Sequence, residues 1–480
     1  MPPVISSYLR KIGCATLGLL LTSSSFMPLS AIAGPAQQYK GYAPKGGYSA
    51  PTTYRRPQKY MADTLLIMPA GKVTDEQIHE VCQANDCELE DEIGKGPYRI
   101  LIVKTQKGKL EKTEAALRKD KHIWLMQRNY EFEPMQKTMA NEDVVKNGLG
   151  GTGSFLRLVH ADAAWKLGVT GAGQTIAVAD SGCNANGDEL RGKCDKGYDA
   201  TTWDAKLALA SAPVATGLGV TAGLGVGALF GLGANVLANA VNPGCKVDHV
   251  SKNADGVSLN GHGTEVSTVA AGAINGLHCC GVAPDARIYP IRANNTTSVC
   301  AGMWHLISTK GPKILNISMG PYYADTMPIM FLMFRLYHDT YGGIIFLAGG
   351  NHGEQLGSRC SYANFVSMTN VNGKYLKTSA HGPCISFAAQ GDMVDTVDMS
   401  NTDDASGGTS FASPTCAGVA ALVWSANPNL TGDQVVLLMQ QKAYLPAKIT
   451  PDADKYGYGI PDAEASVKAA LGLAKSGLGG

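Results

Sequence analysis

Three short motifs place an acid, a histidine and a serine in that order along the chain. Asp180 ends an apolar run, His262 lies between two glycines, and Ser410 precedes an apolar helical run. A serine hydroxyl becomes a useful nucleophile when a neighbouring base takes its proton. The three residues therefore predict acyl transfer, with Ser410 as nucleophile, His262 as general base and Asp180 as the carboxylate that orients the imidazole. Each residue alone also fits a structural role, as a strand-ending acid, a buried histidine or a helix N-cap.

A fourth motif ends in an amide. The buried-strand pattern at residues 343–350 is followed by Asn351. Its side-chain amide and the backbone N–H of Ser410 are suitable donors for the oxyanion that forms when a serine attacks a carbonyl carbon. Loss of one such donor typically lowers turnover about 100- to 1000-fold. We therefore include Asn351 among the predicted catalytic residues.

The elements that must bring these residues together indicate an α/β domain. Strand and helix patterns alternate over residues 155–472, which predicts a doubly wound, mostly parallel sheet flanked by helices. The carboxyl ends of parallel strands meet at one edge of such a sheet, and sites form there. Upstream, residues 61–143 follow the order strand–helix–strand–helix–strand. That order predicts a small α+β domain of the ferredoxin-like type.

The same motifs resemble those of the subtilisin-like serine proteases, the subtilase family. The resemblance rests on residues 178–182, 261–264, 348–351 and 408–414, and weaker matches extend it over about residues 155–472. It implies a serine endopeptidase that hydrolyses peptide bonds through an acyl-enzyme intermediate. It also implies a subtilisin-like fold with an extended cleft for peptide or protein substrates.

The resemblance further implies which segments line the cleft. Backbone that binds an extended peptide pairs with it as an added strand. The matching stretches are Ser318, Met319 and Gly320, and Ala348, Gly349 and Gly350. Their small residues predict a roomy primary pocket that prefers an apolar or aromatic side chain.

Residues 61–143 resemble the inhibitory propeptide of the family in size and in predicted topology. They carry 28 charged residues in 83, whereas residues 144–480, the expected catalytic domain, carry 46 in 337. The resemblance implies a propeptide that assists folding and inhibits the enzyme as an intramolecular partner. It further implies removal by self-cleavage between Met135 and Gly148.

The N-terminus has the features of an export signal. A basic pair precedes an apolar run that ends in the small-residue site Ala31-Ile32-Ala33, so residues 1–33 are predicted to be a secretory signal peptide. A membrane anchor is the alternative, but the apolar run is short and contains several polar residues. Residues 34–60 are rich in Pro, Tyr and Gly, which predicts a linker. We therefore expect a secreted or periplasmic protein, with membrane association as an open alternative.

Composition and cysteine spacing narrow the choice of partners and cofactors. The net charge of +1 excludes a strongly basic nucleic-acid binder.

Nine of the 12 cysteines follow residue 144, so at least one of these nine is unpaired. None of them has the paired spacing of metal ligands. No cofactor is expected to be required, and structural calcium, frequent in the family, stays open. The predicted disulfides, which export permits, join Cys183 to Cys194 and Cys360 to Cys384.

Residues 207–245 form an insertion between Asp180 and His262 that contains no charged residue. Glycines recur in it at every fourth position, on one face of a helix: Gly219, Gly223, Gly227 and Gly231. This spacing allows close helix packing in membranes, which predicts contact with a membrane or with another copy. The alternatives are a helical hairpin on the enzyme surface and a mobile loop. A second overall function is a membrane-active or docking protein that uses the protease scaffold to present this glycine zipper.

Overall fold

The computed structural model describes residues 58–71, 73–95, 98–136, 153–201, 245, 248, 250–252, 258–320, 322–323, 326–357 and 362–476. All of them belong to one compact unit, Thr53–Gly480. The predicted signal peptide, nearly all of the linker, Cys360 and the insertion up to Cys245 lie outside the described residues. Among the helices that are described, none combines the length and apolar character needed to cross a bilayer. The membrane or partner contact of the insertion therefore stays a prediction.

The N-terminal part of the described chain is an antiparallel sheet with two helices. Its elements are β1 (Tyr60–Pro69), α1 (Asp75–Ala84), β2 (Cys87–Ile93), β3 (Ile100–Thr105), α2 (Leu110–Leu117) and β4 (Ile123–Tyr130), followed by the short β5 (Glu133–Pro134). The strand order β2-β3-β1-β4 is that of a ferredoxin-like βαββαβ domain. β2 is absent from the order expected from the sequence, because charged side chains dominate this strand and such residues are rare in strands. Pairing with β3 makes it a strand.

The two faces of this small sheet have different neighbours. Leu65 and Ile67 of β1 join a core cluster with residues of α1 and α2. Leu66 and Met68 of the same strand join a cluster formed by the larger part of the chain. Because alternate side chains of a strand point to opposite faces, the sheet packs on its own helices with one face and on the larger part with the other.

The larger part contains the remaining strands and α-helices, and a short π-helix, Leu336–Thr340. Its strands are β6 (Thr175–Asp180), β7 (Tyr198–Asp199), β8 (Val250–Lys252), β9 (Ser258–Asn260), β10 (Arg287–Arg292), β11 (Ile314–Ile317), β12 (Met319–Gly320), β13 (Ile344–Ala348), β14 (Asn364–Thr369), β15 (Ile385–Gln390), β16 (Val394–Val397) and β17 (Asp403–Ser406). Its helices are α3 (Ser154–Leu158), α4 (Ala161–Trp165), α5 (His262–Ala271), α6 (Thr296–Thr309), α7 (Pro328–Arg335), α8 (Thr409–Ala426), α9 (Gly432–Lys442), α10 (Ala453–Tyr456) and α11 (Ala463–Lys475).

Seven of these strands form one parallel sheet that is buried on both faces. Their order is β15-β14-β13-β11-β6-β10-β7, and every pair is parallel. Along β6, Ile176 and Val178 belong to a core cluster that includes residues of α5 and α8. Ala177 and Ala179 belong to a second cluster with residues of α6 and α7. Helices on both faces of a parallel sheet are typical of doubly wound folds, so the predicted fold class is confirmed.

The helix that carries Ser410 packs closely on the helix that carries His262. A Cβ at Gly418 of α8 would lie 3.0 Å from the carbonyl oxygen of Ala270 in α5 and 2.6 Å from the Cβ of Val282. Packed interiors leave no room for such an extra carbon. The glycine therefore sets the separation of α8 and α5, and with it the distance between the two predicted catalytic residues.

We expect Gly418→Ala to lower the free energy of unfolding by about 1–3 kcal/mol, because the added methyl group overpacks this contact. Gly472→Ala in α11 is the matched control, since a Cβ there would have no atom within 4 Å. It should raise stability by about 0.5–1 kcal/mol through the better helix propensity of alanine. The measurement is urea unfolding of the full chain in a Ser410→Ala background. Equal stability of the two variants would contradict the packing argument.

Candidate active site

Asp180 and His262 form a fully buried acid–base pair. Asp180 is the last residue of β6, and His262 is the first residue of α5. The imidazole Nδ1 lies 2.8 Å from Asp180 Oδ1. A carboxylate that accepts the Nδ1 proton leaves the lone pair on Nε2. Within the described part of the chain His262 Nε2 has no hydrogen-bond partner, so this nitrogen is available to take a proton.

Ser410 is the second residue of α8. Its hydroxyl donates to the Ser318 carbonyl at 2.9 Å, and among the described residues no hydrogen bond joins it to His262 Nε2. Catalytic hydrogen bonds are often incomplete before the reaction begins. The next residue, Phe411, packs edge-on against the imidazole, with ring centroids 5.9 Å apart. The start of α8 is thus held against His262.

Two N–H donors converge on one carbonyl oxygen. Met135 O accepts Asn351 Nδ2 at 2.5 Å and the backbone N–H of Ser410 at 3.0 Å. Asn351 Oδ1 accepts both the backbone N–H and the hydroxyl of Thr409, each at 2.9 Å. These two bonds fix which end of the amide faces Met135. Paired donors of this kind stabilise negative charge on the oxygen between them.

Residues 132–136 lie between two edges of backbone as an extended strand. β5 pairs antiparallel with β12, and the Met135 N–H donates to the Ser318 carbonyl at 3.0 Å. On the other edge the Phe132 N–H donates to the Asn294 carbonyl at 2.8 Å. This is the geometry of a peptide that binds as an added strand. One edge consists of the predicted cleft residues Ser318, Met319 and Gly320.

Two side chains of this strand fill apolar positions. Met135 is buried, and its Cε lies 2.9 Å from the place that a Cβ on Gly320 would occupy. The glycine therefore makes room for a long side chain. Phe132 packs on Tyr322 with ring centroids 4.8 Å apart. An unbranched apolar residue thus fits the position of Met135, and an aromatic residue fits the position of Phe132.

The other predicted cleft stretch, Ala348 to Gly350, lies directly before Asn351 at the end of β13. The Gly349 N–H donates to the Val366 carbonyl at 3.0 Å. The Gly350 N–H donates to the Thr409 hydroxyl at 3.0 Å. These bonds run into the domain rather than to the bound strand. They hold the stretch in place behind Asn351, and its contact with substrate stays a prediction.

A second buried carboxylate, which the sequence analysis missed, holds the N-terminus of α5. Asp248 accepts the Ser181 hydroxyl at 2.7 Å and the Thr264 backbone N–H at 2.6 Å. The first N–H groups of a helix have no partner within the helix, and a carboxylate there also interacts favourably with the helix dipole. Asp248 therefore joins the strand end that carries Asp180 to the helix end that carries His262. Its sequence signal is weak: it is the first acid after the uncharged insertion.

The predicted partners Cys183 and Cys194 lie side by side and are both buried. The contact with Cys194, together with burial, raises the pKa of the Cys183 thiol. A bridge between them would fasten the loop that follows Asp180. Of the other predicted pair, Cys384 is described and Cys360 is not. Both disulfides stay predictions.

The sequence predicts no metal ligands. Within the described ranges, no group of three His, Cys, Asp or Glu side chains lies close enough together to hold a metal ion. Calcium sites in proteins also use backbone carbonyl ligands. Structural calcium therefore stays open.

We expect Asp248→Ala to lower the free energy of unfolding by about 1–3 kcal/mol, because buried donors at the start of α5 lose their acceptor. Asp248→Asn keeps an acceptor of the same size and should cost less. The matched control is Asp162→Ala, which removes an exposed ion pair with Lys166 and should change stability by less than about 1 kcal/mol. Denaturant unfolding of the full chain carrying Ser410→Ala measures all three. The same loss for Asp248→Ala and Asp162→Ala would rule out the capping role.

Export to an oxidising compartment should produce a Cys183–Cys194 disulfide, because the two thiols already touch. Mass spectrometry of a non-reduced digest should find their two peptides joined. Cys194→Ser should abolish the joined species. Cys416→Ser, which alters a thiol in the buried face of α8, should preserve it. Alkylation of both thiols without prior reduction would show that the bridge does not form.

Known proteins resemble this chain in sequence and in fold. The profile of the Subtilase family matches residues 171–462. A thermostable alkaline protease from Halalkalibacterium halodurans is 32% identical over 194 residues, which are 38% of this chain and 52% of that protein. A thermophilic serine proteinase from a Bacillus species is 26% identical over 280 residues, which are 56% of this chain and 57% of that protein. The chain thus spans about half the length of these curated relatives.

A solved structure gives a separate view of the fold. Fervidolysin from Fervidobacterium pennivorans, a keratinolytic enzyme related to subtilisin, superposes with a TM-score of 0.61 over 87% of this chain and 62% of that one. At 18% identity this likeness concerns the fold alone. The family profile covers more than half of the chain and includes all four predicted catalytic residues. The chain belongs to the subtilase family.

Proposed function

We propose that the protein is an exported, self-processing serine endopeptidase with Ser410 as its nucleophile. The observation that carries this proposal is the carbonyl oxygen of Met135, which accepts hydrogen bonds from both the Ser410 N–H and Asn351 Nδ2. A carbonyl held in this way is polarised where negative charge develops during attack. The peptide bond that follows Met135 is therefore oriented as a substrate.

In the proposed reaction Ser410 Oγ attacks the carbonyl carbon while His262 Nε2 takes the hydroxyl proton. Asp180, 2.8 Å from Nδ1, keeps the imidazole in the required tautomer and stabilises the imidazolium. The carbonyl oxygen becomes an oxyanion between the Asn351 amide and the Ser410 N–H. His262 then gives its proton to the leaving amine, and an acyl-enzyme ester remains. Water, deprotonated by the same imidazole, hydrolyses the ester.

The first substrate is proposed to be the chain itself. Residues 132–135 occupy the acyl side of the cleft, and Gln136 begins the leaving side. The cleaved bond is therefore Met135–Gln136, at the N-terminal limit of the interval expected from the sequence. A cleavage here would separate the ferredoxin-like domain from the subtilase domain.

Helix capping between the two domains supports an inhibitory role for the released propeptide. Gln127 Oε1 of β4 accepts the backbone N–H groups of Ile329 and Met330 at the start of α7, at 2.8 and 3.1 Å. Asn129 Oδ1 accepts the Thr297 N–H at the start of α6, at 3.2 Å. These helix-terminal donors lack intrahelical partners. Together with the added strand in the cleft, they favour continued binding of the propeptide after the bond is cut.

The proposal of export rests on residues 1–33, whose apolar run and small-residue site are typical of signal peptides. The proposal of peptide-bond hydrolysis is further supported by the relatives, which are named alkaline protease and serine proteinase. The residues around the bound strand also indicate which substrate residues are preferred before the cleaved bond. These are methionine at the reacting carbonyl and phenylalanine three residues earlier.

Expression of the full chain beside Ser410→Ala tests the function. Wild type should yield a mature chain that begins at Gln136 and that labels with a serine-directed phosphonate. Ser410→Ala should keep residues 61–136 and stay unlabelled, because it lacks the nucleophile. Ser308→Ala, which removes a hydroxyl at the exposed end of α6, is the matched control and should process like wild type. N-terminal sequencing and intact mass measure the outcome. A wild-type chain that stays unprocessed and unlabelled would falsify the proposal.

A further inference from the structure

The first residue on the leaving side of the bound strand makes a specific polar contact. Gln136 is 8% exposed, and its Nε2 donates to the hydroxyl oxygen of Ser406 at 3.0 Å. Ser406 is the last residue of β17 and lies four positions before the nucleophile. The enzyme therefore contacts the side chain directly after the proposed scissile bond with a buried hydroxyl.

This hydroxyl contacts a second buried side chain. Ser406 Oγ donates its proton to Glu265 Oε2 at 3.2 Å. Glu265 lies on α5, three residues after His262, and is 2% exposed. Burial, and next the nearby Asp404, raise the pKa of the Glu265 carboxyl well above its usual range.

The direction of the Ser406 hydroxyl decides which side chains fit. Its single proton is used by Glu265, so its oxygen offers only lone pairs to the substrate. A primary amide supplies the required N–H. A thioether or an alkyl group of similar length would leave the buried oxygen without a donor, which is unfavourable. A carboxylate would bring a second acceptor and a negative charge beside acidic residues, which is worse.

We propose, building on the endopeptidase function above, that Ser406 and Glu265 form a leaving-side subsite that selects peptides with a primary amide, glutamine or asparagine, directly after the scissile bond. The substrate class is then defined on both sides of the bond. The acyl side ends in methionine after an aromatic residue, as in residues 132–135, and the leaving side begins with glutamine.

The test uses the self-processed wild-type enzyme and three peptides that differ in one residue. Each contains Phe-Glu-Pro-Met followed by Gln, Met or Glu and the same tail. Met has the length of Gln without its amide, and Glu has its shape with acceptors only. We expect kcat/KM for the Gln peptide to exceed that for the Met peptide about tenfold, the effect of one neutral hydrogen bond. The Glu peptide should be cleaved more slowly than the Met peptide.

Variants then assign the selectivity to the two residues. Ser406→Ala should reduce the Gln-to-Met ratio of kcat/KM to about one, because the acceptor is gone. Glu265→Ala should reduce the same ratio, since the hydroxyl proton is no longer held. The double variant should lose no more than either single variant, as expected for residues that act together. Ser400→Ala, an exposed serine in the turn before β17, is the matched control and should keep the wild-type ratio.

The outcomes separate this inference from the function on which it rests. If the wild type cleaves none of the peptides and does not label with the phosphonate, the endopeptidase function fails, and the subsite with it. If the wild type cleaves all three with equal kcat/KM, the subsite is wrong while the function stands. If the wild type prefers Gln but Ser406→Ala has the same ratio, the selectivity lies elsewhere and the assignment is overturned.

Discussion

The convergence of two N–H groups on the Met135 carbonyl oxygen is the constraint from which the rest of the site follows. One donor is the backbone of Ser410 at the start of α8, and the other is the side chain of Asn351 at the end of β13. Neither position can shift alone, because Thr409 of α8 also holds the Asn351 amide through two hydrogen bonds. A parallel sheet satisfies this requirement, since its strand ends and the following helix starts meet at one edge.

The same constraint explains the position of α5. In the proposed mechanism His262 must reach a hydroxyl at the start of α8. This requires α5 and α8 to approach closely, and Gly418 permits the approach. The N-terminus of α5 is then buried, and its N–H groups need acceptors. Asp248 supplies one. A histidine at a buried helix start thus requires a helix cap, and a residue outside the histidine motif provides it.

The sequence predicted those parts of the molecule that short segments determine. Apolar runs that end in Asp180 and Asn351 indicated buried strands with polar ends, and the alternation of strands and helices indicated the doubly wound sheet. β2 and Asp248 were missed because tertiary contacts alone decide them: a charged segment becomes a strand by pairing, and an acid becomes a cap by meeting another helix. The contact of Gln136 with Ser406 joins distant parts of the chain, and local patterns carry no information on such pairs.

The position of Glu265 connects selectivity with chemistry. It lies on the same helix as His262, and in the proposed mechanism the leaving amine departs next to His262 Nε2, which protonates it. A side chain held through Ser406 fixes the residue that contributes this amine. Misplacement of the amine by about 1 Å can lower the rate substantially, because proton transfer requires hydrogen-bond distance. The proposed leaving-side contact, made by Ser406 and supported by Glu265 of α5, would therefore act on the step in which the bond breaks, and not only on binding.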